Sequence, residues 1–135
     1  MCDLTRTGPY SPFAFPVCSV ACGLPQEAGA VPEDSMTLPV SMTGEDEMYL
    51  LYATGDSMIG AGIQAGDMVL VRRQETAKDG VIVVAWVEGE GNTLKRFRRD
   101  GNMIVLHPEN SVMQDIRVSE CRVQGVAVWV FKKVG

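Results

Sequence analysis

Six of the seven prolines in this 135-residue chain fall between Pro9 and Pro39, and only Pro108 lies beyond them. Proline fixes its own φ, offers no N–H, and pushes the residue before it out of the helical region. Residues 1–40 therefore read as an extended arm without helices or central strands. The arm is too short and too proline-rich to hold a helix-turn-helix DNA-binding domain. Residues 41–135 carry the opposite signal. The runs 48–53, 68–71, 81–87, 93–99, 103–106, 116–118 and 123–131 are apolar or alternating and are separated by Gly, Asp and Asn turns. The run 81–87 is apolar throughout, as in a strand covered on both faces. Glu88-Gly89-Glu90-Gly91-Asn92 is turn-forming and joins it to 93–99 as a hairpin. Only 57–64 looks helical. The fold expected is mainly β: a compact, twisted, partly barrel-like domain with one short helical turn, preceded by the arm.

The net charge of -5 argues against wrapping bare nucleic acid. The basic clusters Lys95, Arg96, Arg98, Arg99 and Arg72-Arg73 read as solvated strand faces and turns, and so does the acidic Glu45-Asp46-Glu47. No apolar run approaches the roughly 20 residues that span a bilayer. Asp3 and Arg6, followed by proline-broken sequence, do not make a signal peptide. A cytoplasmic, membrane-free location is expected. The cysteines (Cys2, Cys18, Cys22, Cys121) form no C-x-x-C, and the single histidine, His107, is far from the first three. No metal, disulfide or other cofactor is expected.

The chemistry concentrates in two segments, Gly55-Asp56-Ser57-Met58 and Thr93-Leu94-Lys95-Arg96-Phe97. The first places a serine at a glycine-bounded strand end, and the second places a lysine inside a strand. A serine nucleophile needs a group to take its proton, usually histidine. His107 lies directly before Pro108, on the far side of the lysine, which leaves Lys95 as the better base. Strand alternation puts Thr93, Lys95 and Phe97 on one face. If Val87 faces Thr93, Lys95 stands opposite Ala85, among Val83, Val87 and Phe97, where lost hydration lowers its pKa. Bringing a lysine from about 10.4 to about 7 takes about 4.6 kcal/mol, which only deep burial supplies. A serine at such a place is more often a plain helix N-cap. The same geometry also aims backbone N–H groups at a small volume beside the hydroxyl, where they can stabilise an oxyanion. The residues alone leave both readings open.

Three segments, in order, resemble the LexA/UmuD-like self-cleaving serine peptidases. Residues 55–59 and 62–71 look like their nucleophile region. Residues 93–97 resemble the strand carrying their general-base lysine. Leu106-His107-Pro108-Glu109-Asn110 is similar to their Leu-x-Pro-x-Asn segment. The resemblance spans about residues 48–131. It implies Ser57 as nucleophile, Lys95 as neutral base and later acid, and the N–H groups of Asp56 and Ser57 as the oxyanion hole. Gly60 departs from the polar or acidic residue common in relatives, which puts the stiffness of the helical turn in question.

Members of that family cut their own chain between a small residue and glycine. The arm offers Cys22-Gly23 and Ala28-Gly29, and the apolar flank 17–21 and the distance to Ser57 favour Cys22-Gly23. The resemblance further implies a homodimer, with the RecA filament on single-stranded DNA as the cleavage stimulus after DNA damage. The short arm points to the UmuD-type branch: accessory subunits of error-prone translesion DNA polymerases, without sequence-specific DNA binding. The alternatives are a signal-peptidase relative acting on other chains, and a non-catalytic β module that docks a partner. A buried Lys95 beside Ser57 favours the enzyme; a solvent-facing Lys95 favours the module.

Overall fold

The computed structural model describes residues 15–20, 36–44 and 46–134, with the side chains of 15–20 and 36–37 outside that description. The strands are β1 (Phe15–Val20), β2 (Met36–Pro39), β3 (Met48–Tyr52), β4 (Met68–Arg72), β5 (Ile82–Val87), β6 (Gly91–Asp100), β7 (Met103–His107), β8 (Ile116–Val118) and β9 (Arg122–Phe131). One helical turn, α1 (Val40–Thr43), follows β2, and a 3-10 turn spans Ile59–Ala61. The sheet runs β2-β1-β3-β4-β9-β5-β6-β7-β8, antiparallel except for the β1–β2 pair.

The expected strands of the body are all present, within two residues at each end. The arm holds more structure than its prolines suggested. β1 lies between two neighbours, which corrects the expectation of no interior strand there, and α1 is a helical turn that the sequence did not signal. Proline's fixed φ is compatible with extended backbone, and the damage is confined to the missing donor. β1 pairs with β3 only over Phe15↔Leu50 and Pro16↔Tyr49, whereas its proline-free stretch from Val17 to Val20 carries the ladder to β2. Pro39 closes β2 and caps α1 with φ -61 and ψ 145, an extended residue where the helix must start.

Alternation sends apolar side chains to both faces of the sheet. Tyr49, Leu51, Val69, Val71 and Val84 pack with Met58 and Ile63 from the loop after β3. On the other side of β5, Val83, Ala85 and Val87 join Phe97, Leu106 and Val126. Met48, Leu50 and Leu70 form a third cluster with Leu38. β9 serves two partners: its C-terminal half pairs with β4 and its N-terminal half with β5. Register shifts at Leu70/Val71 and Val84/Ala85 let it bend between them.

The β5–β6 hairpin is tighter than the five-residue turn read from the sequence. Val87 pairs with Gly91, so the loop is Glu88-Gly89-Glu90, with Gly89 at φ 87 and Gly91 at φ 77. Only glycine takes such angles without strain. Lys95 therefore stands opposite Val83, not Ala85. The shift is two residues, so Lys95 keeps the face it was assigned; a shift of one would have reversed it.

At Gly125, β9 passes β4 so closely that an added Cβ would collide with Val71 Cγ1 and lie 2.6 Å from the Arg72 carbonyl oxygen. Gly125→Ala, in a Ser57→Ala background, is expected to lower stability by about 1–3 kcal/mol. Urea unfolding checks this, and an unchanged midpoint would show that the two strands separate without cost.

Candidate active site

β3 ends at Tyr52, and the chain turns through Gly55 into the 3-10 turn with Ser57 two residues before it. Met58 and Ile63, both buried, anchor this loop in the core. On the facing side, β6 carries Lys95. Its Nζ lies 3.3 Å from Ser57 Oγ and also contacts Thr93 Oγ1. Lys95 is half-buried, and that burial lowers its pKa, with the charge of Glu90 opposing in part. A neutral amine at this place can accept the Ser57 hydroxyl proton, which a protonated one cannot. His107 is engaged elsewhere: its Nδ1 is 2.6 Å from Asp115 Oδ1. Ser57 does not cap the helical turn. Met58 holds that position and makes no side-chain cap.

Beside the pair lies an open cleft of about 280 Å³, lined by Leu51, Tyr52, Met58, Leu94 and the two polar residues themselves. Among the described residues, no backbone carbonyl takes the N–H of Asp56 or Ser57.

The segment after β7 holds the serine loop in place. Leu106 and Pro108 are fully buried. The Glu109 carbonyl accepts the Gly60 N–H at 2.7 Å, and Asn110 Nδ2 donates to the Asp56 carbonyl at 2.9 Å. The Glu109 carboxylate pairs with Arg96, whose guanidinium also donates to the Gly80 carbonyl. Arg96 holds that carboxyl below the usual range. Gly60 is explained by the same contact. A Cβ there would sit 2.6 Å from the Glu109 oxygen, so the glycine tightens the turn against residues 109–110 rather than loosening it.

Sequence reasoning missed Thr93, Arg96, Glu109 and Asn110. Thr93 was already on the lysine's face, and its hydroxyl was the available signal. Glu109 and Asn110 were part of a recognised segment, but pattern alone gives no partner across 54 positions. Arg96 corrects the reading of the whole basic cluster as solvated: Arg98 and Arg99 are exposed, whereas Lys95 and Arg96 are half-buried and engaged. Cys22-Gly23 and Ala28-Gly29 lie outside the described residues.

A serine and a half-buried lysine in hydrogen-bond contact, on a β scaffold with a pinned serine loop, coincide with a family match. The Peptidase S24-like family profile matches residues 16–128. The chain belongs to this family. It is 46% identical over 133 residues to a LexA repressor from Desulforamulus reducens, covering 98% of this chain and 62% of that protein. LexA repressors from Halalkalibacterium halodurans (43% identical, 87% of this chain and 57% of theirs) and Pelotomaculum thermopropionicum (44%, 85% and 56%) are similar. The chain thus spans about three-fifths of the length of the curated relatives it matches.

The lowered pKa of Lys95 has a consequence for stability. The unfolded chain holds the lysine proton to higher pH than the folded one, so stability rises with pH between the folded and unfolded values. Below the folded value the burial cost is present in full. In a Ser57→Ala background, Lys95→Met is expected to raise the Tm at neutral pH, by a margin that shrinks as pH approaches about 10. Thermal unfolding across pH checks both the sign and the convergence.

Proposed function

We propose that this chain is a self-cleaving serine peptidase of the LexA type, and the contact between Lys95 Nζ and Ser57 Oγ carries that reading. Neutral Lys95 takes the Ser57 proton as Oγ attacks the scissile carbonyl. The N–H groups of Asp56 and Ser57 receive the oxyanion. Lys95 then gives its proton to the leaving amine, which frees the downstream chain and leaves an ester on Ser57. Water, activated by Lys95, hydrolyses that ester and restores the hydroxyl.

The substrate is the chain's own arm, with Cys22-Gly23 the preferred bond and Ala28-Gly29 the second. A tethered bond has the high effective concentration of an intramolecular reaction, so the cleft needs little affinity for free peptides. Lys95 is half-buried beside the cleft. A docked arm segment would remove more water from it and lower its pKa further, so docking and activation of the base occur together. A RecA filament would stimulate cleavage by favouring that docked pose, which is a population shift. The acting form is a homodimer in the cytoplasm, and no helix among the described residues is long and apolar enough to cross a membrane.

The relatives bear the name of repressor, which favours cleavage as the release of repression in the whole protein. The polymerase-subunit branch drawn from the short arm, and the absence of DNA contact that went with it, find no support in those names. The non-catalytic module is disfavoured by Lys95 itself, half-buried and turned to Ser57.

Intact mass of the purified protein tests the function, with wild type and Ser57→Ala incubated at neutral and alkaline pH. Wild type should lose residues 1–22, faster at alkaline pH, and Ser57→Ala should stay whole. A cut after Ala28 keeps the chemistry and moves the site. An uncut wild type, even with RecA filament present, would favour the module.

A further inference from the structure

Ser57 and Lys95 supply the nucleophile and the base, but neither sets the direction of the oxyanion donors. The peptide joining Asp56 to Ser57 is trans, so its C=O and N–H lie in one plane and point opposite ways. Whatever holds the Asp56 carbonyl therefore aims the Ser57 N–H. Two donors hold it: the Ile59 N–H at 3.3 Å, and Asn110 Nδ2 at 2.9 Å. The shorter contact comes from a side chain 54 positions away.

The Asn110 amide is itself fixed in orientation. Its Oδ1 accepts the Val112 N–H at 3.1 Å, so its NH₂ group must face Asp56. Reversing the amide would bring two acceptors together at Asp56 and two donors together at Val112. The segment beneath is anchored by buried Pro108, by the Glu109 carbonyl on the Gly60 N–H, and by the Glu109 carboxylate on Arg96. Arg96 directly follows Lys95 on β6. One short segment therefore ties the strand of the base to the peptide of the nucleophile.

We propose that Asn110 is a positioning residue for the oxyanion hole, holding the Asp56–Ser57 peptide so that the Ser57 N–H faces the cleft. This rests on Ser57 being the nucleophile. It predicts a loss of rate without a change in the base. Removing one oxyanion donor outright costs on the order of 10²–10³ in rate. A donor left free to swing is expected to cost about tenfold to a hundredfold.

Asn110→Asp separates this role from a structural one. The aspartate keeps an oxygen for the Val112 N–H, so the local turn stays capped, but it offers Asp56 no donor. Asn110→Ser serves the same purpose without added charge, since its short hydroxyl can still accept from Val112 while falling short of Asp56. Self-cleavage rates of wild type and both variants are measured against pH, with the Tm of each in a Ser57→Ala background. The expected result is a rate plateau lowered about tenfold to a hundredfold in both variants, an unmoved pH midpoint, and a Tm close to the parent. Wild-type rates in either stably folded variant would overturn the proposal while leaving the Ser57–Lys95 reading intact. A shifted midpoint with an unchanged plateau would also overturn it, because Asn110 would then act through Lys95. Failure of wild type itself to cleave would instead remove the reading on which the proposal rests.

Discussion

A single polar contact, Lys95 Nζ to Ser57 Oγ at 3.3 Å, sets the terms for the rest of the molecule. It can serve proton transfer only if the lysine can give up its proton, and withdrawal from water is what lowers its pKa here. The lysine must therefore sit on a rigid strand at the wall of a cleft, with the serine brought to it. The β5–β6 hairpin supplies the strand, Met58 and Ile63 sink the serine loop into the core, and residues 106–110 fasten that loop from behind. β9 keeps both halves of the sheet in one body by bending between β4 and β5.

The half-burial of Lys95 suits the proposed enzyme, whose substrate would be part of its own chain. A fully desolvated base would be active at all times. On the proposed reading, a base whose burial is completed by a docked arm would be active only in the productive pose, and control would rest on how often that pose forms. The described part of the arm region lies along the sheet: β1 pairs with β3, the strand that leads into the serine loop.

Much of the fold was legible in the sequence because β structure leaves short-range marks. Short apolar or alternating runs located seven strands, whereas the serine and lysine segments stood out by residue type and received their roles only from the resemblance to the LexA/UmuD-like peptidases. The illegible features depended on distance or on turn geometry. The hairpin register turned on two glycines adopting positive φ within a turn that could have been five residues long. Strands β1 and β2 were hidden because proline signals broken ladders, yet the ladder between them begins just past Pro16. Asn110 and Glu109 were visible as a motif, but their partners at Asp56 and Gly60 exist only once the sheet has folded. Gly60 looked like a weakness and proved to be a fit, since the carbonyl it must clear lies 49 positions away in the chain (109−60).

The central claim is that Lys95 is the base, and the most direct measurement is its own titration. NMR of the protein labelled at lysine Cε, with Lys95→Met in parallel to assign the signal, follows the ammonium through its midpoint in a Ser57→Ala background. The account predicts a midpoint below the ordinary lysine value of about 10.4, matching the alkaline rise of the self-cleavage rate in wild type. A Lys95 signal that titrates together with the surface lysines, or a cleavage rate that rises through a different midpoint, would contradict it.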